Sequence, residues 1–172
     1  MKPASINYFA ALKINKMKID KSWYIKPKDN NFPVTVAAGG VVIRKHGNNL
    51  YIALLRDKKF EDYMLPKGGS EKGENPEVTA KREIWEETGL NNLNMICKLG
   101  IKERLTFEKN EWRKAHYFLF VTDQVNGEQK LQAGEEDYVI EWHDIDKLPP
   151  MFWPEQKELI EENKEQIRKL LK

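Results

Sequence analysis

The feature that most constrains this chain is the stretch of residues 68–90, where a glycine-rich turn leads into a short amphipathic segment. Asn75 is a favourable N-cap, Pro76 suits the first position of a helix, and Gly89 is a common residue just after a helix ends. These signals predict a helix over Pro76–Thr88. Its core-facing stripe is predicted to consist of Ala80, Ile84 and Thr88, with Trp85 beside them.

Three glutamates of this predicted helix, Glu83, Glu86 and Glu87, are spaced so that their side chains meet on one surface. Like charges at this spacing destabilise a helix by about 0.2–0.5 kcal/mol per pair. They also lie near the C-terminal end, where the helix dipole disfavours negative charge, and Lys81 and Arg82 offset only part of this repulsion. A divalent cation such as Mg²⁺ or Mn²⁺, which prefers oxygen ligands, would balance these charges. The alternative is an acidic face that is simply solvated.

The whole stretch resembles, position for position, the Nudix box, written G-x5-E-x7-R-E-U-x-E-E-x-G-U, where U is a bulky apolar residue. The matching residues are Gly68, Glu74, Arg82, Glu83, Ile84, Glu86, Glu87, Gly89 and Leu90. The resemblance implies the α/β (α+β) class and the Nudix fold, an α/β/α sandwich with a mixed central sheet. It also implies a Nudix hydrolase, a pyrophosphohydrolase that cleaves a phosphorus-containing anhydride with Mg²⁺, with Mn²⁺ as the alternative ion.

The chain of 172 residues is long enough for one domain with an adequate core. Residues 1–32 are predicted to be an N-terminal extension, with a short strand at residues 23–25, and residues 33–172 to be the Nudix hydrolase domain. Gly39 and Gly40, inside the first strand of that domain, indicate a bulge or a close approach by a ligand. Apolar and β-branched runs predict strands over residues 34–45, 50–55, 95–107, 112–122 and 138–142, and a closing helix over residues 154–171.

Composition limits the partners that this chain is expected to have. The net charge of +2 gives no argument for nucleic-acid binding, and no apolar run approaches the roughly 20 residues that span a membrane. The single cysteine, Cys97, excludes an internal disulfide and suits the reducing cytoplasm. We therefore expect a cytoplasmic protein that binds a small-molecule nucleotide, with no membrane and no nucleic acid as partners. The sequence leaves open whether it forms a homodimer.

The resemblance also implies catalytic roles for residues of the box. Glu86 and Glu87 would be the principal metal ligands, and Glu83 a further ligand or the base that polarises the attacking water. Arg82 would hold these glutamates in place by charge-assisted hydrogen bonds.

Nudix enzymes often complete the metal site with groups outside the helix. One expected ligand is the backbone carbonyl of Lys67 or Gly68. Another is an acidic residue from the loop before the last strand, for which we choose Glu136, with Glu135 as the second choice. The alternative is an ordinary acidic loop.

The substrate-binding residues have less pattern to guide their prediction. Lys67 abuts the glycine turn and is expected to contact phosphate, although a solvated lysine is the alternative. The predicted set is completed by Arg56, Gly68, Gly69, Tyr63 and Phe107. A base stacked on one of the aromatic rings would gain about 1–3 kcal/mol. The alternative for these rings is core packing.

The region that follows the box resembles the bacterial diadenosine polyphosphate hydrolases of the family, with Phe107 at a position where those enzymes usually have tyrosine. This resemblance favours a dinucleoside polyphosphate such as diadenosine tetraphosphate as substrate. Rival substrates are ADP-ribose, a modified nucleoside triphosphate and a diphosphoinositol polyphosphate. A non-catalytic, nucleotide-binding Nudix module is the alternative from another class, and the intact box argues against it.

Overall fold

A mixed sheet of six strands forms the centre of the computed structural model, which describes residues 19–172. The strands are β1 (Val34–His46), β2 (Asn49–Asp57), β3 (Lys67–Gly69), β4 (Asn94–Leu105), β5 (Trp112–Val121) and β6 (Tyr138–Asp144). The helices are α1 (Pro76–Thr88) and α2 (Pro154–Leu170), preceded by a short 3-10 helix at Lys21–Tyr24. The strand order is β4-β5-β1-β2-β6, with β3 paired to β1. Strands β1 and β5 are parallel and the other pairs are antiparallel.

The sheet separates two hydrophobic cores because successive side chains of a strand point to opposite faces. In β1, Ala37 and Val41 belong to the core beneath α2, whereas Ala38 and Val42 belong to the core beneath α1. Helix α1 contributes Ala80 and Ile84 to its core, and both are fully buried. The expected α+β fold, with helices on both faces of a mixed sheet, is therefore confirmed.

Strand β3 was not predicted, and it explains the glycines of β1. Gly39 pairs with Lys67, and a Cβ atom on Gly39 would lie 2.1 Å from the carbonyl oxygen of Pro66. The close approach expected at this position is thus made by the chain's own turn into β3. Because β3 has three residues, its sequence carries no periodic signal.

The predicted strand at residues 23–25 is wrong. Lys21–Tyr24 is a 3-10 helix, and its N-cap Asp20 accepts a hydrogen bond from the backbone N–H of Ser22, which favours a turn over an extended chain. Trp23 is 2% exposed and packs against Phe107 and Trp153, with ring centroids 6.0 and 5.8 Å apart. Residues 1–18 of the expected extension lie outside the described residues, and its boundary at residue 32 stays a prediction.

The other predicted elements are present with small shifts at their ends. Helix α1 has the predicted bounds, and α2 ends at Leu170. Strands β2 and β6 are each longer than predicted, and β4 ends at Leu105 because residues 106–111 form the turn into β5. Within residues 19–172, neither helix is long and apolar enough to cross a membrane.

Candidate active site

The glycine turn lies directly against helix α1. Asn75 caps the helix by accepting a hydrogen bond from Val78 N at 3.0 Å, and Gly89 ends it with a φ of 75°. A Cβ atom on Gly68 would lie 2.1 Å from Oε2 of Glu83, so any side chain there would displace that carboxylate. A Cβ atom on Gly69 would meet nothing within 4 Å. Close approach to the helix therefore requires glycine at position 68 and leaves position 69 unconstrained.

The guanidinium of Arg82 joins three of the box carboxylates. Its Nε lies 2.8 Å from Oε1 of Glu74, and its Nη1 lies 2.6 Å from Oε1 of Glu83 and 3.1 Å from Oε2 of Glu86. Nη2 also donates to the carbonyl of Gly69 at 2.9 Å. The hydrogen bond from Arg82 is the main reason that the pKa of Glu74 falls to about 2. Arg82 thus fixes both the glycine turn and the helix glutamates.

Glu87 is held differently from the other glutamates. Its side chain is buried, and Oε2 accepts a hydrogen bond from the backbone N–H of Lys67 at 2.8 Å. Burial, followed by the negative charges of Glu135 and Glu83, raises the pKa of Glu87 well above its ordinary value. Buried carboxylates that repel one another favour binding of a cation or uptake of a proton.

The side chain of Lys67 is half-buried beside this group. Burial, followed by the positive charges of Arg104 and Arg113, lowers the pKa of Lys67 to about 7, and the charge of Glu87 opposes the shift. Lys67, which the sequence predicts to contact phosphate, therefore lies near both the box residue Glu87 and the two arginines.

The loop between β5 and β6 wraps around the C-terminal end of α1. The backbone N–H of Lys130 donates to the carbonyl of Glu86 at 2.7 Å, and Nε2 of Gln129 donates to the carbonyl of Glu87 at 2.6 Å. These hydrogen bonds satisfy two of the carbonyls that a helix leaves unpaired at its end. They also fix the loop relative to the glutamates.

The same loop brings a fifth acidic residue to the site. Gln132 donates from Nε2 to Oε2 of Glu86 at 3.2 Å and from its backbone N–H to Oε2 of Glu135 at 3.0 Å. Glu135 lies close enough to Glu87 to raise its pKa. The carboxylate of Glu136 is exposed and accepts a hydrogen bond from Gly134 N at 2.9 Å. This arrangement favours Glu135, the second choice from the sequence, over Glu136.

Two residues of this site, Gln129 and Gln132, were missed by the sequence reasoning. They stand in a polar loop without a motif, and the residues of α1 that they contact are 42 and 46 positions away. Only the orphan carbonyls expected at the end of α1 could have indicated that some donor would be needed there.

The site offers donors for a divalent cation, although they are not gathered into a cage. Among residues 19–172, no three His, Cys, Asp or Glu side chains form a ready-made metal cage. The donors are nevertheless carboxylate oxygens, which suit a hard cation, and Glu87 and Glu135 add negative charge beyond the group that Arg82 holds. The chemistry of the donor set therefore fits Mg²⁺.

Arg56 and Tyr63, predicted to bind substrate, belong to a second polar cluster centred on Glu141 of β6. Nη2 of Arg56 lies 2.7 Å from Oε1 of Glu141, and the hydroxyl of Tyr63 donates to Oε2 of Glu141 at 2.5 Å. The Tyr63 ring also meets His143, with ring centroids 4.5 Å apart. Both predicted residues are thus engaged within the protein, and Phe107 is buried against Trp23.

Comparison with known proteins identifies a family and several similar proteins. The sequence model of the NUDIX domain matches residues 33–162. A putative 8-oxo-dGTP diphosphatase of Bacillus subtilis is 31% identical over 113 residues, which are 66% of this chain and 70% of that protein. An RNA pyrophosphohydrolase of Roseobacter denitrificans is 40% identical over 52 residues, 30% of this chain and 32% of that protein. The matched part of the chain spans about a third of the length of this relative and of a second one, the putative nudix hydrolase 1 of Caenorhabditis elegans.

A similar fold is found among solved structures. The Ap4A hydrolase of C. elegans, in a binary complex, has a TM-score of 0.61 and 19% sequence identity, over 77% of this chain and 97% of that one. At this identity the similarity establishes the arrangement of strands and helices described above.

Proposed function

We propose that this chain, which belongs to the Nudix family, is a Nudix hydrolase that uses Mg²⁺ to cleave a diphosphate linkage in a nucleoside diphosphate-linked compound. The preferred substrate under this proposal is a dinucleoside polyphosphate such as diadenosine tetraphosphate. The observation that carries the proposal is the buried carboxylate of Glu87, whose pKa is raised by burial and by Glu135 and Glu83. The intact box argues against a pure binding module, which does not need all of these glutamates.

The proposal assigns a task to each charged group. Bound Mg²⁺ would supply neutralising charge for the phosphate oxygens and the leaving group. Glu83, Glu86 and Glu87 would hold it. Glu135 would add a fourth carboxylate in place of Glu136, and the carbonyl of Lys67 or Gly68 would complete the set.

Arg82 is assigned a positioning role, and Glu83 a role toward the attacking water. Arg82 fixes the orientation of Glu83 and Glu86 by charge-assisted hydrogen bonds, the shorter at 2.6 Å. Under the proposal Glu83 is either a further ligand of the ion or the base that polarises the attacking water. No covalent nucleophile is needed, because phosphoryl transfer depends mainly on positioning and on neutralising charge.

A modified nucleoside triphosphate is the second candidate substrate. It is favoured by the 31% identity to the putative 8-oxo-dGTP diphosphatase of Bacillus subtilis, of which this chain covers 70%. The relative from Roseobacter denitrificans is named an RNA pyrophosphohydrolase, so a 5′-triphosphate RNA belongs in the same assay although the sequence predicted no nucleic-acid partner. The homodimer and the cytoplasmic location stay predictions.

One assay tests the proposal and ranks the substrates. The purified protein is incubated with Mg²⁺ and, in parallel, Mn²⁺, together with diadenosine tetraphosphate, ADP-ribose, 8-oxo-dGTP, a diphosphoinositol polyphosphate and a 5′-triphosphate RNA. Products are separated by chromatography. We expect diadenosine tetraphosphate to have the highest kcat/KM. Cleavage of ADP-ribose without cleavage of diadenosine tetraphosphate would show that the proposed substrate is wrong. A lack of turnover of every compound would favour the non-catalytic binding module.

A further inference from the structure

Three cations lie together on the α2 side of the sheet, next to the acidic site. Arg104 of β4 and Arg113 of β5 are direct cross-strand partners, so their side chains leave the same face. Ala115 and Tyr117, which follow Arg113 on that face, belong to the core beneath α2. Lys67 pairs with Gly39, which pairs on its other side with Tyr117. The positive charges of both arginines contribute, after burial, to lowering the pKa of Lys67.

This grouping is costly for the folded protein. Like charges directly opposite each other on neighbouring strands repel, and burial strengthens the repulsion. Arg104 is 7% exposed and has an ion pair with Glu155 at 2.7 Å, and Arg113 has one with Glu111 at 3.3 Å. The two carboxylates balance two of the three cations. Lys67 is then the cation left without a carboxylate partner once Glu87 binds the metal, and a bound phosphate would favour its charged form.

The far end of this cation cluster is closed by the N-terminal segment. The hydroxyl of Tyr24 donates to Oε2 of Glu155 at 2.7 Å, while Oε1 of Glu155 accepts from Nε of Arg104. The Arg104 guanidinium lies 3.2 Å from the ring centroid of Trp153, and Trp23 fills the space beside that ring. Both tryptophans are buried. Arg104 is therefore held in place at this end of the cluster with Glu155 as its counter-ion, and the aromatic rings are occupied by one another.

We propose that Lys67, Arg104 and Arg113 form an anion subsite that binds phosphate groups beyond the cleaved linkage, so that the enzyme prefers substrates with at least three consecutive phosphates. The inference rests on the proposed function and narrows it. A diphosphate such as ADP-ribose places both phosphates at the glutamates and leaves the subsite empty. A triphosphate or a tetraphosphate reaches it, because each added phosphate extends the chain toward the cations.

Arg113 provides the test, because its side chain is partly exposed and its neighbour Lys114 is a matched control. Lys114 points to the opposite face of β5 and lies 3.5 Å from Glu103. Inorganic triphosphate is titrated by calorimetry into the protein in the presence of Mg²⁺, the condition in which Glu87 is assigned to the metal. The variant Arg113→Gln should bind about tenfold more weakly than the wild type, the loss expected for one charge-assisted hydrogen bond, whereas Lys114→Gln should bind within about twofold of it.

Two outcomes would overturn the subsite. One is that Arg113→Gln and Lys114→Gln bind triphosphate equally, which would mean that only the general surface charge attracts it. The other is that triphosphate does not bind at all. These results are independent of turnover, so they differ from a failure of the proposed function, which shows as a lack of hydrolysis.

A second measurement separates substrate classes if the enzyme is active. Arg113→Gln should raise KM for diadenosine tetraphosphate by about tenfold, the loss expected for one charge-assisted hydrogen bond, and leave KM for ADP-ribose unchanged. Arg104→Lys keeps the charge opposite Glu155 but loses the planar guanidinium, so it should also raise KM for diadenosine tetraphosphate. An equal rise in KM for both substrates would indicate a general disturbance of the site and would contradict the subsite.

Discussion

The backbone N–H of Lys67 donates a hydrogen bond to Oε2 of Glu87 at 2.8 Å, across 20 positions of the chain. This hydrogen bond ties the short strand β3 to the last turn of α1. Glu87 therefore does two things at once. Its carboxylate holds the glycine turn in place, and its buried charge attracts the cation that the site is proposed to bind.

Replacing Glu87 by glutamine separates these two tasks. The amide oxygen can still accept from Lys67, so Glu87→Gln should keep the fold, but it removes the charge and should lower kcat by orders of magnitude. Steady-state kinetics and thermal unfolding by circular dichroism measure the two effects. Glu77→Gln, at an exposed position in the first turn of α1, is the control and should match the wild type. A Glu87→Gln enzyme as active as the control would refute the ligand role.

The affinity for Mg²⁺ should increase with pH. The pKa of Glu87 is raised by burial and by Glu135 and Glu83, so part of the population is protonated at pH values where an ordinary glutamate is ionised. The ion binds the ionised form. Binding below the raised pKa must therefore release a proton, and binding above it must not. Calorimetric titrations over a series of pH values, each in two buffers of different ionisation enthalpy, count these protons. Glu87→Gln should lose the dependence; if it persists, another group is responsible.

Glu135 and Glu136 offer a paired comparison. Glu135 raises the pKa of Glu87 and is anchored by Gln132, whereas the carboxylate of Glu136 is exposed. Glu135→Gln should weaken Mg²⁺ binding by about tenfold, within the range found for groups that support metal ligands. Glu136→Gln should change it by less than about twofold. Calorimetric titration of both variants with Mg²⁺ decides between them, and the reverse ranking would restore the choice made from the sequence.

The parts of the site that sequence could predict are those specified locally. Asn75, Gly89 and the spacing of the glutamates predicted α1 with the observed bounds, because caps and helical periodicity act within a few residues. The choice between Glu135 and Glu136 depends on how Gln129 and Lys130 fasten the loop to the end of α1.

Contacts between residues that are distant in the chain could not be predicted from the sequence, because local patterns do not specify them. Strand β3 exists because Gly39 admits Pro66 and Lys67 beside β1. The burial of Phe107 is decided by Trp23, 84 positions before it in the numbering of the chain. Neither contact leaves a periodic pattern.

Two glycines of the turn should respond differently to alanine. In Gly68→Ala the new Cβ would lie 2.1 Å from the Glu83 carboxylate, which must then move away from Arg82. In Gly69→Ala it would meet nothing within 4 Å. We expect Gly68→Ala to lose most of its activity and Gly69→Ala to retain nearly all of it. Steady-state kinetics on the substrate identified by the panel measure both. Equal activities would show that Glu83 can move without consequence.

Trp23 should contribute substantially to the stability of the fold, because it is 2% exposed and lies between Phe107 and Trp153. Trp23→Ala should lower the free energy of unfolding by about 3–5 kcal/mol, the usual cost of removing a buried tryptophan. Ile25→Ala is the matched control two residues away, since Ile25 is 66% exposed, and it should change stability by less than about 0.5 kcal/mol. Urea unfolding followed by fluorescence gives both values. Equal small effects would mean that the contacts of residues 19–32 do not stabilise the domain. The expected difference would mean that this part of the predicted extension stabilises the domain that carries the glutamates.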